Sequence, residues 1–278
     1  MSFGVLLIVL VGALLHASWN LMVKAGRNKH TATATIYVSA GFLSALALPF
    51  LAAPARASWP YLGASTITQV LYGVVLAAAY RTGDLSHAYP LMRGTAPLLV
   101  AAGSAVWVGE QLSRPLWIGV AVMSCALISM IFDARGRSHS ASTTGLAILN
   151  AFVIATYTVI DGVGARASGH PIAYSLWLFA FIAVPWLVFV AARYRRRWAE
   201  LRTEIPTGLA GGACSLASYT VALWAVTRAP IAVVAAVRET SILFGALLGV
   251  AFLHERLTWV RGIAIVGIVV AVVIIRLQ

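Results

Sequence analysis

The chain has 278 residues, of which 61% are hydrophobic and only 10% are charged. A soluble domain carries about 25% charged residues, so the composition excludes a soluble globular protein. The formal net charge is +12, but most basic residues lie in short stretches between apolar segments. The positive-inside rule already explains that distribution in a membrane protein, so the charge does not indicate a nucleic-acid partner.

Ten apolar segments follow one another, each near the length of about 20 residues that an α-helix needs to cross a hydrocarbon core of roughly 30 Å. They are Phe3–Val23, Ala32–Leu51, Tyr61–Tyr80, Tyr89–Val108, Leu116–Phe132, Thr144–Ala165, Ile172–Ala191, Thr207–Val226, Ile231–Leu253 and Val260–Ile275. The first segment has no basic n-region, so we interpret it as a retained helix and not a signal peptide. The sequence predicts an all-α integral membrane protein with ten transmembrane helices.

One stretch occurs twice along the chain. Arg93 opens an apolar run with Arg-x-Thr and Glu110 closes it with Glu-x-Leu-Ser, while Arg238 and Glu255 bracket a second run in the same way. The two spacings are equal, because 110 − 93 = 255 − 238 = 17. Five spans in each half place the second half upside down, and inverted repeats are typical of transporters. We therefore predict a first five-helix repeat over residues 1–133, a linker loop over 134–143 and a second repeat over 144–278.

Lys and Arg are concentrated in the odd-numbered loops, which follow spans 1, 3, 5, 7 and 9. The positive-inside rule then predicts that these loops are cytoplasmic and that both termini are outside. Hereafter the two sides of the membrane are called the odd-loop face and the even-loop face.

Arg93 and Arg238 are the strongest candidates for a substrate site. Each lies about five to seven residues inside its span, roughly 8–10 Å from the nearer face at a rise of 1.5 Å per residue. One interpretation is that the side chains extend back to the lipid headgroups. The alternative is a pair of cations facing a water-filled cavity, since intramembrane charges usually mark a transport pathway.

Asp161 and Glu239 are the acidic residues inside the spans. Asp161 lies at the same face as Arg238, so it is expected to pair with Arg238, to take part in proton coupling, or to bond to the nearby Arg166 at its own helix end. Glu239 follows Arg238 directly and points to a different side of the helix.

His16 lies about two turns inside the first span, with Trp19 and Asn20 nearby. A single His is often hydrogen-bonded to a backbone carbonyl, but it also relays protons or binds substrate. Weaker candidates for lining a cavity are Tyr72, Tyr80, Tyr89, Thr95, Thr156, Tyr157, Tyr219 and Trp224.

Several other residues favour structural roles. Ser113 and Thr258 are good N-caps for spans 5 and 10, and Glu110 and Glu255 suit the same helix starts. Two motifs, Gly208-x-x-x-Gly212 and Gly245-x-x-x-Gly249, predict close helix packing. The two cysteines lie in apolar segments without disulfide or metal spacing, and we expect no metal or cofactor.

Four motifs make the whole chain resemble EamA-type members of the drug/metabolite transporter superfamily. They are HASWN near the start, YP…R-x-T-x-P…GE-x-LS, YTVIDG, and R-E-T…HE-x-LT near the end. The resemblance implies ten helices in two inverted repeats around a cavity lined by spans 1, 3, 4, 6, 8 and 9. It also implies substrates such as amino acids, nucleotide sugars, organic phosphates or drugs, and termini in the cytoplasm, opposite to the charge distribution.

The chain contains no H-E-x-x-H, G-x-S-x-G or Walker motif, so we predict no enzyme and no ATP-driven pump. We expect a secondary transporter of a small polar metabolite, anionic or zwitterionic (amino acid, organic phosphate or phosphonate-like), that works by alternating access. It would lie in the cell (inner) membrane as a monomer or homodimer, with protons as a further partner. The alternatives are a membrane-embedded lipid-processing protein or flippase, and a channel.

Overall fold

A computed structural model describes residues 1–26, 28–82, 85–134, 141–194, 198–255 and 257–277. Its α-helices are α1 Phe3–Ala25, α2 Lys29–Ala47, α3 Trp59–Thr82, α4 Leu85–Gly103, α5 Arg114–Ser129, α6 Ala141–Ala167, α7 Pro171–Tyr194, α8 Trp198–Ala225, α9 Ile231–Arg238, α10 Ser241–Leu253 and α11 Trp259–Arg276. Short 3₁₀ turns at Leu48–Phe50, Arg56–Ser58 and Met130–Ala134 and a π turn at Ser104–Val108 join them. Most of the predicted linker, residues 135–140, lies outside the described residues.

The described part of the chain contains nine helical segments that are long and apolar enough to cross a membrane. Large apolar side chains such as Phe50, Val106, Trp107 and Phe252 cover its outer surface, which suits contact with lipid. The prediction of an all-α integral membrane protein is confirmed. α8 is not among the nine, since Gly, Ala, Ser and Thr make up much of it, yet at 28 residues it is longer than a span requires.

The helices of the two halves interleave instead of forming separate lobes. α2 packs against α7 and α8, α1 against α8 and α10, α3 and α4 against α6, and α5 against α11. Most of these contacts join a helix before residue 134 to one after residue 141, so the core is shared between the halves.

Close packing of α2 on α8 depends on the first of the two glycine motifs. A Cβ added at Gly212 would lie 2.8 Å from the Ala40 nitrogen, and one at Gly208 would lie 2.9 Å from Thr35 Cβ. The prediction is confirmed for this motif because the backbones approach too closely for any side chain. It is wrong for Gly245, which has open space around its Cβ position.

The predicted ninth span, Ile231–Leu253, is interrupted in the structure. α9 ends at Arg238 and α10 begins at Ser241. In the turn between them, the amides of Glu239 and Thr240 donate to carbonyls three residues back, and Thr240 Oγ1 donates to the Val237 carbonyl at 2.7 Å. Such 3₁₀ turns within a helix often mark functional positions, and this one carries Arg238 and Glu239.

Both predicted N-caps are confirmed. Ser113 Oγ accepts from the Leu116 amide at 3.4 Å, and Thr258 Oγ1 accepts from the Arg261 amide at 3.3 Å. These contacts start α5 and α11 without help from Glu110 or Glu255, so both carboxylates are available for other partners.

Candidate functional site

A polar cavity lies inside the bundle, between the two halves of the chain. It leaves about 90 Å³ open to the centres of water-sized molecules, room for a few waters or one small solute. The side chains around it are His16, Trp19, Asn20, Tyr37, Gln69, Tyr72, Tyr89, Arg93, Ala96, Pro97, Val100, Ile154, Tyr157, Thr158, Phe179, Ser215, Tyr219, Ala235, Arg238 and Glu239.

The two arginines of the repeated stretch both line this one cavity. Arg93 is 15% exposed, and its Nη2 lies 2.9 Å from Oε2 of Glu239, which is 8% exposed. The ion pair holds the Arg93 guanidinium inside the bundle, at the cavity. Because Arg93 is on α4 and Glu239 is in the turn after α9, the pair also joins the two halves.

Arg238 has a different environment. Its guanidinium carbon lies 5.1 Å from the centre of the Tyr219 ring, a cation–π contact. Among the described residues it forms no salt bridge with a carboxylate. The lining therefore has two guanidinium groups and one carboxylate, and its net charge is positive when His16 is neutral.

Asp161 does not line the cavity but lies directly behind its wall. The side chain is fully buried. The Tyr174 hydroxyl donates to Oδ1 at 3.0 Å, and Gln69 Nε2 and the Tyr219 hydroxyl donate to Oδ2. Asp161 thus bonds to neutral donors and not to Arg238, so the expected pairing is not formed. Arg238 lies instead against the ring of Tyr219. The neutral donors also replace the alternative partner, Arg166.

His16, Trp19 and Asn20 form one wall of the cavity. The His16 and Trp19 rings meet edge to face at 5.2 Å, and Trp19 contacts the Tyr37 ring at 6.5 Å. Asn20 Nδ2 donates to the His16 carbonyl at 2.8 Å. Trp19 Nε1 and Arg93 Nε are buried and have no hydrogen-bond acceptor among the described residues.

The structure separates the remaining predicted residues into two groups. Tyr72, Tyr89, Tyr157 and Tyr219 line the cavity. Thr95, Thr156 and Trp224 do not; the exposed Thr156 donates to the Phe152 carbonyl, and Trp224 lies at a second pocket near the even-loop face. The side chain of Tyr80 lies outside the described residues.

Some lining residues were not predicted from the sequence: Tyr37, Gln69, Ala96, Pro97, Val100, Ile154, Thr158, Phe179, Ser215 and Ala235. Tyr37 and Phe179 belong to α2 and α7, two helices that the resemblance did not place at the cavity. Neither lies in the repeated stretch, so no motif indicated them. Of these residues, Gln69 had the clearest signal in the sequence, since a Gln in the middle of an apolar span needs a polar partner.

An ionic network lies at the even-loop face. Glu110 accepts from Arg166 Nη2 at 2.6 Å, and both of its carboxylate oxygens accept from the Ile231 amide at 2.9 Å. Arg166 also donates to the carbonyls of Val226 and Ala229. Glu110 therefore binds the N-terminus of α9, where the helix dipole favours a carboxylate. We call Glu110, Arg166 and Ile231 the even-face network.

A second network lies at the odd-loop face. Lys24 pairs with Glu255, and Arg261 contacts both Glu255 at 3.5 Å and Asp133 at 2.9 Å. The hydrogen bond from Lys24 is the main reason that the pKa of Glu255 lies below its usual range, with Arg261 adding to the effect. We call Lys24, Glu255 and Arg261 the odd-face network. Lys24 is 53% exposed, whereas Glu110 in the even-face network is only 9% exposed.

Comparison with known proteins identifies a family for the second half of the chain. Residues 142–277 match the EamA-like transporter family. This match places the second half of the chain in the EamA-like transporter family. The family is a transporter family and not an enzyme family. Among curated proteins, none matches this transporter in sequence.

The fold also has a solved counterpart. A protein known from a crystal structure superposes with a TM-score of 0.78 over 100% of this transporter and 98% of its own chain, at 18% sequence identity. At that identity the likeness shows the fold alone. It extends over both halves, including the part before residue 142.

Proposed function

We propose that this protein is a secondary transporter of a small anionic or zwitterionic solute, such as an amino acid, an organic phosphate or a phosphonate, in the cell (inner) membrane. The observation that carries the proposal is the unequal pairing of the two cavity arginines. Glu239 neutralises Arg93, whereas Arg238 lies on an aromatic ring. A cation in a low-dielectric cavity without a carboxylate partner attracts an anionic group.

The unused donors in the cavity support the same substrate class. Trp19 Nε1 and Arg93 Nε are buried without acceptors, and an unsatisfied buried donor costs about 1–3 kcal/mol. A carboxylate or phosphonate oxygen would satisfy them. Glu239, at the same site, would accept a hydrogen bond from the ammonium group of a zwitterion.

The placement of the two ionic networks supports alternating access. The even-face network joins Glu110 of the first half to Arg166 and Ile231 of the second, and the odd-face network joins Lys24 of the first half to Glu255 of the second. A solute can leave through one face only when the network there opens. We infer that the networks open in turn, and that the described conformation is closed more firmly at the even-loop face.

A binding screen tests the substrate class. The purified protein would be heated with L-serine, L-phenylalanine, O-phosphoserine, 2-aminoethylphosphonate or putrescine, because a ligand that binds only the folded state raises the Tm. We expect at least one anionic or zwitterionic compound to raise the Tm and putrescine to have no effect. Arg238→Gln should abolish the shift.

Arg228 offers a matched control for that variant. Its guanidinium lies 4.6 Å from the Trp224 ring, in the same type of contact but away from the cavity, so Arg228→Gln should keep the shift. Stabilisation by putrescine alone, or an equal loss in both variants, would contradict the proposal. Stabilisation by phospholipids alone would favour the lipid-processing or flippase alternative.

A further inference from the structure

We propose that Asp161 is the proton-binding site of this transporter, linked to the solute cavity through Tyr219. The inference rests on the proposed function, since it names the second species that the same cavity would carry. It is argued from the burial of Asp161, the type of partners that surround it, and the position of those partners in the cavity wall.

The partners of Asp161 differ in kind from those of the other acidic residues with described contacts. Glu110, Asp133, Glu239 and Glu255 each pair with Arg or Lys. An adjacent cation keeps a carboxylate ionised. Asp161 is buried to the same degree or more, yet its described partners are neutral: the hydroxyls of Tyr174, Tyr219 and Ser65 and the amide of Gln69.

This neutral surrounding can serve both protonation states of the carboxyl group. Tyrosine hydroxyls donate and accept, and a Gln amide offers either NH₂ or oxygen. They donate to the ionised carboxylate, as in the structure. When Asp161 gains a proton, its own O–H needs one acceptor, which a tyrosine oxygen or the Gln69 carbonyl provides after reorientation. Gln69 is further held by Ser65 Oγ at 3.1 Å.

The route for a proton is short. Tyr219 and Gln69 both contact Asp161 and both line the cavity. Arg238, the proposed anchor of the anionic solute, lies against the same Tyr219 ring, with its guanidinium carbon 5.1 Å from the ring centre. A change in the charge of Asp161 is therefore transmitted to the cavity through one aromatic ring.

Other ionisable groups lie on elements packed against α6 and contribute to the same field. They are Arg56 and Tyr61 before and in α3, Tyr89 and Arg93 in α4, Tyr174 in α7, Tyr219 in α8, Arg238 and Glu239 in and after α9, and Tyr157 and Arg166 in α6 itself. Arg93 and Arg166 are neutralised by their own carboxylates. Arg56 does not line the cavity. That leaves Arg238 as the cavity cation most able to respond to Asp161.

Infrared difference spectroscopy of the protein in lipid nanodiscs tests the inference without any solute. We expect the carbonyl band of a protonated, buried carboxyl group to grow as the pH falls from about 8 to 5, the range in which a coupling group must exchange protons. The band should be lost in Asp161→Asn and kept when Glu239→Gln is combined with Arg93→Gln, a double variant that removes another buried carboxylate without leaving Arg93 unpaired. A band that persists in Asp161→Asn, or no titrating band in the wild type, would overturn the proposal.

The link to the cavity has its own measurement. Tyr219→Phe and Arg238→Gln should each move the midpoint of the titration. Tyr72→Phe is the control and should not move it, because Tyr72 also lines the cavity but its ring contacts Tyr157. If Asp161→Asn does not fold, the shift in Tyr219→Phe decides the question, and an unchanged midpoint refutes the link. The titration is measured without a solute, so its result is independent of the binding screen. If Asp161 titrates but no compound raises the Tm, the proton site stands and the proposed substrate class fails. If a compound raises the Tm but Asp161 does not titrate, the substrate class stands and the proton site fails.

Discussion

The Arg93 guanidinium lies 2.9 Å from the Glu239 carboxylate, between α4 of the first half and the α9–α10 turn of the second. In the aligned repeats, Arg93 corresponds to Arg238 and Gly94 to Glu239. A Cβ at Gly94 would lie 2.6 Å from Ile128 Cγ1 and 3.0 Å from the Ile128 nitrogen, so the first half has no room for a carboxylate there. One half thus supplies the counter-ion for the other, and Arg238 has no carboxylate partner among the described residues.

The Arg93–Glu239 pair should be important for stability. Glu239→Gln leaves the Arg93 charge buried without a partner, which typically costs about 3–5 kcal/mol. We expect a clear fall in the Tm in detergent. Combining Glu239→Gln with Arg93→Gln should restore much of the loss, because the double variant removes both charges of the pair. A single variant as stable as the wild type would show that the pair is not formed in the folded protein.

The turn between α9 and α10 should depend on the Thr240 hydroxyl. Thr240→Ala removes its bond to the Val237 carbonyl, a loss of about 0.5–1.5 kcal/mol, measurable by thermal unfolding. The turn positions Arg238 and Glu239. Thr240→Ala should therefore strongly reduce the Tm shift caused by the solute, although it lowers the Tm of the solute-free protein only slightly. Thr240→Ser retains the hydroxyl and serves as the control. Equal behaviour of the two variants would assign no role to this hydrogen bond.

The even-face network should control access from its side of the membrane. Glu110→Ala leaves Arg166 and the N-terminus of α9 without their carboxylate. Accessibility would be followed at Ser215→Cys, a cavity position, after replacing Cys125 and Cys214 with Ser. A membrane-impermeant thiol reagent should then react faster from the even-loop face.

The odd-face network supplies the comparison for that experiment. Glu255→Ala removes the partner of Lys24 and should speed labelling of the same cysteine from the odd-loop face instead. If Glu110→Ala and Glu255→Ala open the same face, or neither changes the rate, the two networks do not close opposite ends of the cavity.

Stability should depend on pH through Glu255. Lys24 and Arg261 lower the pKa of Glu255 in the folded protein. A lowered folded-state pKa adds stability that is fully present above the unfolded value of about 4.3 and is lost as the pH falls through the folded-state value. Glu255→Gln should therefore be slightly less stable than the wild type near neutral pH, by about 0.2–1 kcal/mol for so exposed a pair. The difference should vanish in acid, and one that grows in acid would contradict the sign.

The α2–α8 contact should tolerate no side chain at Gly212. Gly212→Ala places a methyl group 2.8 Å from the Ala40 nitrogen, and overpacking of this kind costs about 1–3 kcal/mol. Gly245→Ala is the matched control, since its Cβ position is open and alanine favours a helix by about 0.5–1 kcal/mol. In thermal unfolding experiments, Gly212→Ala should have a lower Tm than the wild type and Gly245→Ala should not. A tolerated Gly212→Ala would mean that the helices are further apart.

The sequence by itself determined the features that depend on local composition. Hydropathy and segment length predicted the membrane class and the positions of the helices, because a spanning helix must be apolar over its whole length. The caps Ser113 and Thr258 were predictable for the same reason, since a cap bonds only a few residues ahead. Intramembrane charge indicated Arg93 and Arg238 as candidates.

Only the tertiary structure decided which of these residues meet. Asp161 bonds to groups on α3, α7 and α8, and Glu110 bonds to an amide 121 residues away. No spacing along the chain predicts such pairs, because they depend on which helix faces pack together. The same holds for the turn at Thr240. The sequence predicts one continuous helix over this apolar run, whereas in the structure packing and a side-chain hydrogen bond divide it. The repeat is symmetric in sequence, but packing at Gly94 leaves room for a carboxylate only in the second half, and this gives the cavity its charge.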